Sequence, residues 1–410
     1  EIFKNRQNLK ILLSAYACEP NKGSEPEVGW QWALTLSKKG NHVYVVTRKN
    51  NKKNIDSYLK NNKTSNLHFI YFDYPNWILK IVKGKANSKA YLYILLWQIG
   101  IYFTVKPYLK KIKFDFIHHV TFVSLRFPSF LCLYNVPFIY GPLAGGEIVP
   151  YVFRKSFSFK EKINEFLRDL SNLYIKISPL INLTLLRSHK IFVTSQETMN
   201  LLPKKYHHKT NIILAIGIDN SKISKLNYSN NKIFKICFVG NLLHWKGVFI
   251  LINTILKLAE KNLNIHLNIA GDGPKKLELI KMIKKLNIGN HVTFLGKIKK
   301  DQLNDLYRNS DLLLYPSLRD SGATVVLEAM FHSLPAAVLN LGGPSRIVNN
   351  KCGIKINLSQ KNEDEVVLEL TRKIIKFIKN PNTQKIKRKE SLRRVKKFSW
   401  YKKMIDVYGE

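Results

Sequence analysis

Short runs of Val, Ile, Leu and Phe alternate along this chain with stretches in which apolar residues recur three and four positions apart, the pattern of parallel α/β folds. The runs 10–15, 42–47, 67–72, 114–119, 137–140 and 190–194 predict strands. Between the first two, Trp30, Ala33 and Leu34 predict a helix that Gly40 stops. After 212–218 the alternation restarts, with strands expected at 233–239, 266–270, 291–295, 312–315 and 335–339. Helices are expected from Gly247, Pro274 and Asp301 and through Glu328. Each run is short and nearly all apolar, as strands covered on both faces must be. A polar Ser/Asn/Lys stretch at 219–231 separates the halves, so two doubly wound domains are expected, at 1–215 and 216–395. No repeat of solenoid period is present.

The 410 residues and 45% hydrophobic content suffice for a core in each domain. Cys18, Cys132, Cys237 and Cys352 form neither a CxxC pair nor a Cys/His zinc pattern, which suits a reducing cytoplasm. The chain begins at Glu1, so its natural start is expected upstream; the apolar run 11–17 is short for a signal sequence. The run 90–105 falls short of a membrane span and predicts a buried or interfacial helix.

Charge changes the picture more. With 67 Lys+Arg against 28 Asp+Glu, the net charge is +39. Clustered basic residues can bind nucleic acid by counterion release, but no recognition module is present and no nucleic-acid partner is expected. Basic and aromatic residues interleave at Tyr151, Phe153, Arg154, Lys155, Phe157, Phe159 and Lys160, and at Trp77, Lys80 and Lys83. That pairing fits an anionic membrane surface, or else an amphipathic piece packed on its own domain.

Three segments carry candidate chemistry. In 238–247 a strand ends at Gly240, passes Asn241 and reaches Lys246-Gly247 at a helix start, where a lysine beside backbone amides can hold a phosphate. The turn Gly271-Asp272-Gly273-Pro274 is too short for a dinucleotide fingerprint, which argues against an ordinary Rossmann dehydrogenase. In 315–330 a strand runs through Arg319, Asp320, Ser321, Gly322, Ala323 and Thr324 into a helix bearing Glu328. Asp320 reads as a helix cap or a ligand, whereas Glu328 interrupts an apolar run and needs partners such as paired sugar hydroxyls.

Together these segments resemble the GT-B glycosyltransferases of the family 4 type, glycosyl transferases group 1. The family's Gly-Arg-Leu…Lys-Gly loop, Gly-Glu/Asp-Gly-Pro turn and Glu-x7-Glu segment are similar to 240–247, 271–274 and 320–328. Its N-terminal glycine loop is similar to 19–30, with Gly23, Ser24, Glu25 and Gly29. A strand-end histidine is similar to His118 or His119, which point to opposite faces. The loop Gly145-Gly146-Glu147 resembles that of one bacterial subgroup. Phe398-Ser399-Trp400 is similar to a last helix that crosses back onto the first domain, here 396–410. Two departures stand out: Asp320 replaces the first Glu, and Asn241 replaces a diphosphate-binding arginine, a loss that Arg319 could offset.

The resemblance implies an α/β fold of two doubly wound Rossmann-like domains facing each other across a cleft (GT-B), acceptor-binding first and donor-binding second. It implies a retaining transferase of hexosyl type that moves a sugar from a nucleotide-diphosphate donor to a carbohydrate or lipid-linked acceptor in cell-surface polysaccharide synthesis. The catalytic set would be His118, His119, Lys246 and Asp320. Donor contacts would come from Gly240, Asn241, Lys246, Gly271, Lys297, Ile298, Arg319, Asp320, the amides of 321–324 and Glu328. Gly23, Ser24, Glu25, Gly145, Gly146 and Glu147 would form the acceptor side. No metal and no cofactor are expected, and the expected location is the inner face of the cytoplasmic membrane. The competing classes are an inactive scaffold of the same fold and a nucleic-acid-binding protein.

Overall fold

The computed structural model describes residues 8–62, 64–78, 87–219, 233–359 and 361–409. The chain forms two compact units. The first comprises Glu1–Gly146, Asp169–Gly217 and Trp400–Glu410; the second comprises Glu147–Arg168 and Ile218–Ser399.

The first unit is built on seven parallel strands: β1 (Lys10–Ala15), β2 (His42–Thr47), β3 (Leu67–Tyr71), β4 (Phe116–Thr121), β5 (Phe138–Leu143), β6 (Lys190–Val193) and β7 (Thr210–Ile212). Their order is β3-β2-β1-β4-β5-β6-β7. The second unit repeats the plan with β8 (Phe234–Val239), β9 (Ile265–Ala270), β10 (Val292–Gly296), β11 (Leu312–Tyr315), β12 (Ala336–Leu339) and β13 (Ile354–Ile356), in the order β10-β9-β8-β11-β12-β13. Both are doubly wound sheets whose order reverses beside the first strand. Ile11, Leu12, Leu13, Ile236, Cys237 and Phe238 are buried in succession, because helices cover both faces of each sheet.

The predicted strands recur with their bounds kept or shifted by one to three residues, with one exception. The run 212–218 leaves the sheet after β7, which begins two residues earlier, and Ile218 forms only an isolated bridge with Ser399. β13 carried no sequence expectation; at Ile354–Ile356 it has three residues, one of them Lys355, too few for a pattern. The stretch 147–168, expected with the first domain, groups with the second unit. The last helix is Trp400–Tyr408 rather than 396–410, and it belongs to the first unit. The polar stretch at 219–231 lies almost wholly outside the described residues, as do Lys80 and Lys83. The run 90–105 falls within the helix Asn87–Lys111, which buries Tyr93, Trp97, Ile101 and Val105 in the first unit's core. Among the described residues, no helix is long and apolar enough to cross a membrane.

Candidate functional site

In a doubly wound sheet the loops leaving the two strands at the order reversal turn to opposite faces and open a crevice at the strands' carboxyl ends. In the second unit these strands are β8 and β11. The loop after β8 crosses Gly240 and Asn241, tightens into the turn His244–Lys246 and enters the helix Val248–Ala259 through Gly247. Gly247 has φ 68° and ψ 28°, and a Cβ there would stand 1.9 Å from the Pro316 carbonyl oxygen, so the two loops touch where only glycine fits.

This contact brings three polar groups together. Lys246 Nζ donates to Asp320 Oδ2 at 2.5 Å and to the Tyr315 hydroxyl at 2.7 Å. The Tyr315 hydroxyl in turn donates to Asp320 Oδ2, and Asp320 Oδ1 accepts the amides of Gly322 (3.1 Å) and Ala323 (3.0 Å). Burial opposes the Asp320 charge, but Lys246, Tyr315 and the Ala323 amide outweigh it and hold the carboxyl below the usual range. Asp320 is therefore both the acceptor for two amides of the loop that leads into the helix Thr324–Phe331 and the partner of Lys246.

The remaining donor-side candidates fall around this cluster in different ways. Gly271 lies against Gly240, where a Cβ would meet the Gly240 carbonyl oxygen at 1.9 Å. Asn241 is exposed and Ser321 and Thr324 are partly exposed. Two of the amides expected for a diphosphate, those of Gly322 and Ala323, are given to Asp320. Glu328 finds the partners its sequence context demands in Lys300 and the Tyr307 hydroxyl, the latter at 3.2 Å. Lys297 is exposed and Ile298 partly so, just past β10. Arg319 does not stand free for an anion: it binds Glu165 at 2.6 Å and stacks over Trp245 at 4.5 Å. Burial, with Arg168 and Arg154 nearby, lowers its pKa to about 10.

Sequence reasoning missed the other members of that arrangement. His244 is buried between Glu165 (3.2 Å) and Glu161 (3.4 Å), and Lys275 binds Glu161 at 2.8 Å. Glu165 precedes His244 by 79 positions, so no local pattern joins them. Tyr315 and the pair Gly342-Gly343 were also missed; the Gly343 amide donates to the Asp320 carbonyl at 2.8 Å. A glycine pair three positions after the end of β12 was the available signal. Glu147, expected on the acceptor side, belongs to the second unit and is buried. Phe153 and Phe157 are likewise buried, Phe157 against the His244 ring at 4.6 Å, so the expected membrane segment 151–160 turns two of its aromatics inward.

In the first unit the order reversal lies between β1 and β4. The space a Cβ on Gly23 would fill is empty, and Ser24 follows with φ 52°. Glu25 accepts the Val123 amide. His118 and His119 point to opposite faces, as expected. His118 is fully buried: Nε2 donates to the Gly141 carbonyl at 2.5 Å, which leaves Nδ1 to accept from the Tyr408 hydroxyl. Burial lowers its pKa to about 3 and keeps it neutral, so this ring ties β4 and β5 to the last helix and has no nitrogen left for a reaction. His119 donates from Nε2 to the Phe122 carbonyl at 3.3 Å, while Nδ1 is buried with no partner. Burial lowers its pKa to about 4. Gly145 and Gly146 lie beside Arg126 and Thr198; Arg126 donates to the Gly145 carbonyl at 2.9 Å and the Gly146 amide to the Thr198 hydroxyl at 3.1 Å.

Glu25 gives a testable pH dependence. Burial raises its pKa to about 7, against the opposing effect of the Val123 amide. A carboxyl whose pKa is higher folded than unfolded stabilises the fold below its ordinary pKa, and that contribution is lost as pH rises towards 7. Glu25→Gln is therefore expected to raise Tm at pH 8 and to leave it nearly unchanged at pH 4; equal shifts at both would refute the buried-acid account.

Among the described residues, no group of three His, Cys, Asp or Glu gathers as a metal-ligand set. The family described as Glycosyl transferases group 1 matches residues 219–394. Protein CapJ of Staphylococcus aureus is 34% identical over 200 residues, 44% of this chain and 50% of that protein, so the match spans about half of this relative's length. A glycosyltransferase from Rickettsia africae superposes with a TM-score of 0.65 at 16% identity over 98% of both chains. Anabaena Alr3699/HepE, in complex with UDP and glucose, superposes with a TM-score of 0.58 at 15% identity over 97% of this chain and 98% of that one. These likenesses show the two-domain GT-B fold.

Proposed function

We propose, from the match of residues 219–394 to the family described as Glycosyl transferases group 1, that the chain moves a sugar from a nucleotide-diphosphate donor to a carbohydrate or lipid-linked oligosaccharide acceptor, with retention of configuration. The observation that carries the reading is the Lys246–Tyr315–Asp320 cluster at the order reversal of the second sheet. A cation held beside a carboxylate and a hydroxyl can exchange one anion for another when a diphosphate arrives. Lys246 then stabilises the charge that develops on the leaving diphosphate, while Asp320, still held by the Gly322 and Ala323 amides, accepts from a sugar hydroxyl. Glu328 takes the ribose diol, and Lys297 and Ile298 flank the base. The HepE complex with UDP and glucose supports a uridine diphosphate donor. Gly23, Ser24, Glu25, Gly145 and Gly146 serve the acceptor, and His119, whose Nδ1 has no partner, is the histidine that remains for catalysis. The enzyme works at the inner face of the cytoplasmic membrane, in the synthesis of a cell-surface polysaccharide.

The diphosphate charge is compensated by Lys246 and backbone dipoles, so transfer is expected to proceed without a divalent metal. Retention follows a front-side departure in which the leaving diphosphate assists the incoming hydroxyl. A panel of sugar nucleotides is screened for thermal stabilisation, and transfer is then run in excess EDTA with the product anomer read by NMR. Stabilisation by one donor class and turnover in EDTA with a retained anomer are expected. Activity lost in EDTA and restored by Mn²⁺, or an inverted anomer, overturns the mechanism. Donor binding without transfer to any acceptor points to the inactive scaffold instead.

A further inference from the structure

The helix Phe159–Ile177 is built inside out. Its glutamates, with Ser171 and Asn172, point to the protein: Glu161 binds Lys275, Glu165 binds His244 and Arg319, and Ser171 and Asn172 hold Arg126. Its apolar side chains point to water, and Ile175 is the one that is buried. Phe159 is 80% exposed, Phe166 65% and Ile177 71%, and Ile163, Leu170 and Leu173 complete a stripe at spacings of four and three along the whole helix. An apolar face of this length cannot be explained by internal packing and marks a surface that something covers.

The charges around the stripe decide what covers it. The helix's exposed charged side chains are Lys160, Lys162 and Lys176, whereas both its glutamates are turned inward and paired. An apolar stripe edged by lysines fits an anionic lipid surface, in which the rings and branched chains enter the headgroup boundary and the lysines meet lipid phosphates. A second copy would bring like-charged lysine edges together on two chains of +39 each, which opposes self-association. Tyr151 and Val152, both exposed, lie shortly before the helix in the same basic-aromatic segment, whereas Phe153 and Phe157 are in the core and take no part.

We propose that the outward face of the helix Phe159–Ile177 lies in the interface of an anionic bilayer. This gives the membrane location in the proposed function its surface and rests on that location, not on sugar transfer. The test uses the full chain with sedimented vesicles of phosphatidylglycerol and phosphatidylcholine, and of phosphatidylcholine alone. Binding to the mixed vesicles is expected to exceed binding to phosphatidylcholine by at least about tenfold and to weaken with salt. Phe166→Asp/Leu170→Asp, two exposed positions whose change spares the core, is expected to cut it by at least about tenfold with Tm unchanged. Equal binding of parent and variant, or of both vesicle types, overturns the proposal. So does a dimer in light scattering that the same substitutions dissociate. Thermal stabilisation by UDP-glucose and other sugar nucleotides is read in parallel. Its absence from both proteins counts against sugar transfer and leaves the vesicle result to stand or fall by itself.

Discussion

Lys246→Ala is expected to weaken binding of the sugar-nucleotide donor by roughly 10- to 150-fold, the equivalent of about 1.5 to 3 kcal/mol for a charge-assisted hydrogen bond. The structure adds a second effect, because Lys246 is also the counter-charge of Asp320. A carboxyl whose folded pKa is depressed stabilises the fold above its ordinary pKa, so removing Lys246 sacrifices part of that contribution at neutral pH. A fall in Tm alone would therefore be ambiguous, and Asp320→Asn separates the two roles. If Lys246 serves only Asp320, the double variant is no less stable than Lys246→Ala, and donor affinity measured by calorimetry is untouched throughout. Loss of affinity in Lys246→Ala measured on folded protein is the outcome the proposed site requires.

Gly247→Ala is expected to be among the most damaging single-methyl additions in the second unit. A left-handed backbone costs alanine about 1 to 2 kcal/mol, and the collision with the Pro316 carbonyl oxygen forces one loop away from the other. Together these place the loss of stability at roughly 2 to 4 kcal/mol. Gly289→Ala is the control, since a Cβ there meets nothing within 4 Å. Thermal unfolding of both variants checks the expectation; similar Tm values for the pair would show that the loops yield without cost. Donor affinity should fall in step with Gly247→Ala, because Lys246 and Asp320 face each other across that contact.

The strands were legible because burial on both faces makes them nearly all apolar, and β1, β2 and β11 match their predicted bounds. Lys246 and Asp320 were legible one at a time, as a lysine at a helix start and a carboxylate before a helix. Their pairing was not, since it depends on two loops 74 positions apart meeting at a glycine. His118 shows the opposite failure. A strand-end histidine carries the same letters whether it faces a ligand or, as here, is locked between Gly141 and Tyr408, 290 positions later. In 151–160 the alternation of basic and aromatic residues fits a membrane surface or a piece packed on its own domain, and composition does not say which ring faces which way. One turn more reveals that Phe153 and Phe157 look inward and that the outward stripe continues to Ile177.

The second unit's sequence is interrupted, and this constrains how the protein can vary. A block exchanged between relatives from residue 216 onward would carry His244, Lys275 and Arg319 but leave Glu161 and Glu165 in the recipient's own sequence. Arg319 would then meet whatever charge the recipient holds at 165, and a buried guanidinium without its carboxylate is strongly destabilising. The two stretches therefore form one heritable unit despite the distance between them, and substitutions at 161 and 165 should track those at 244, 275 and 319 as the lineage diverges.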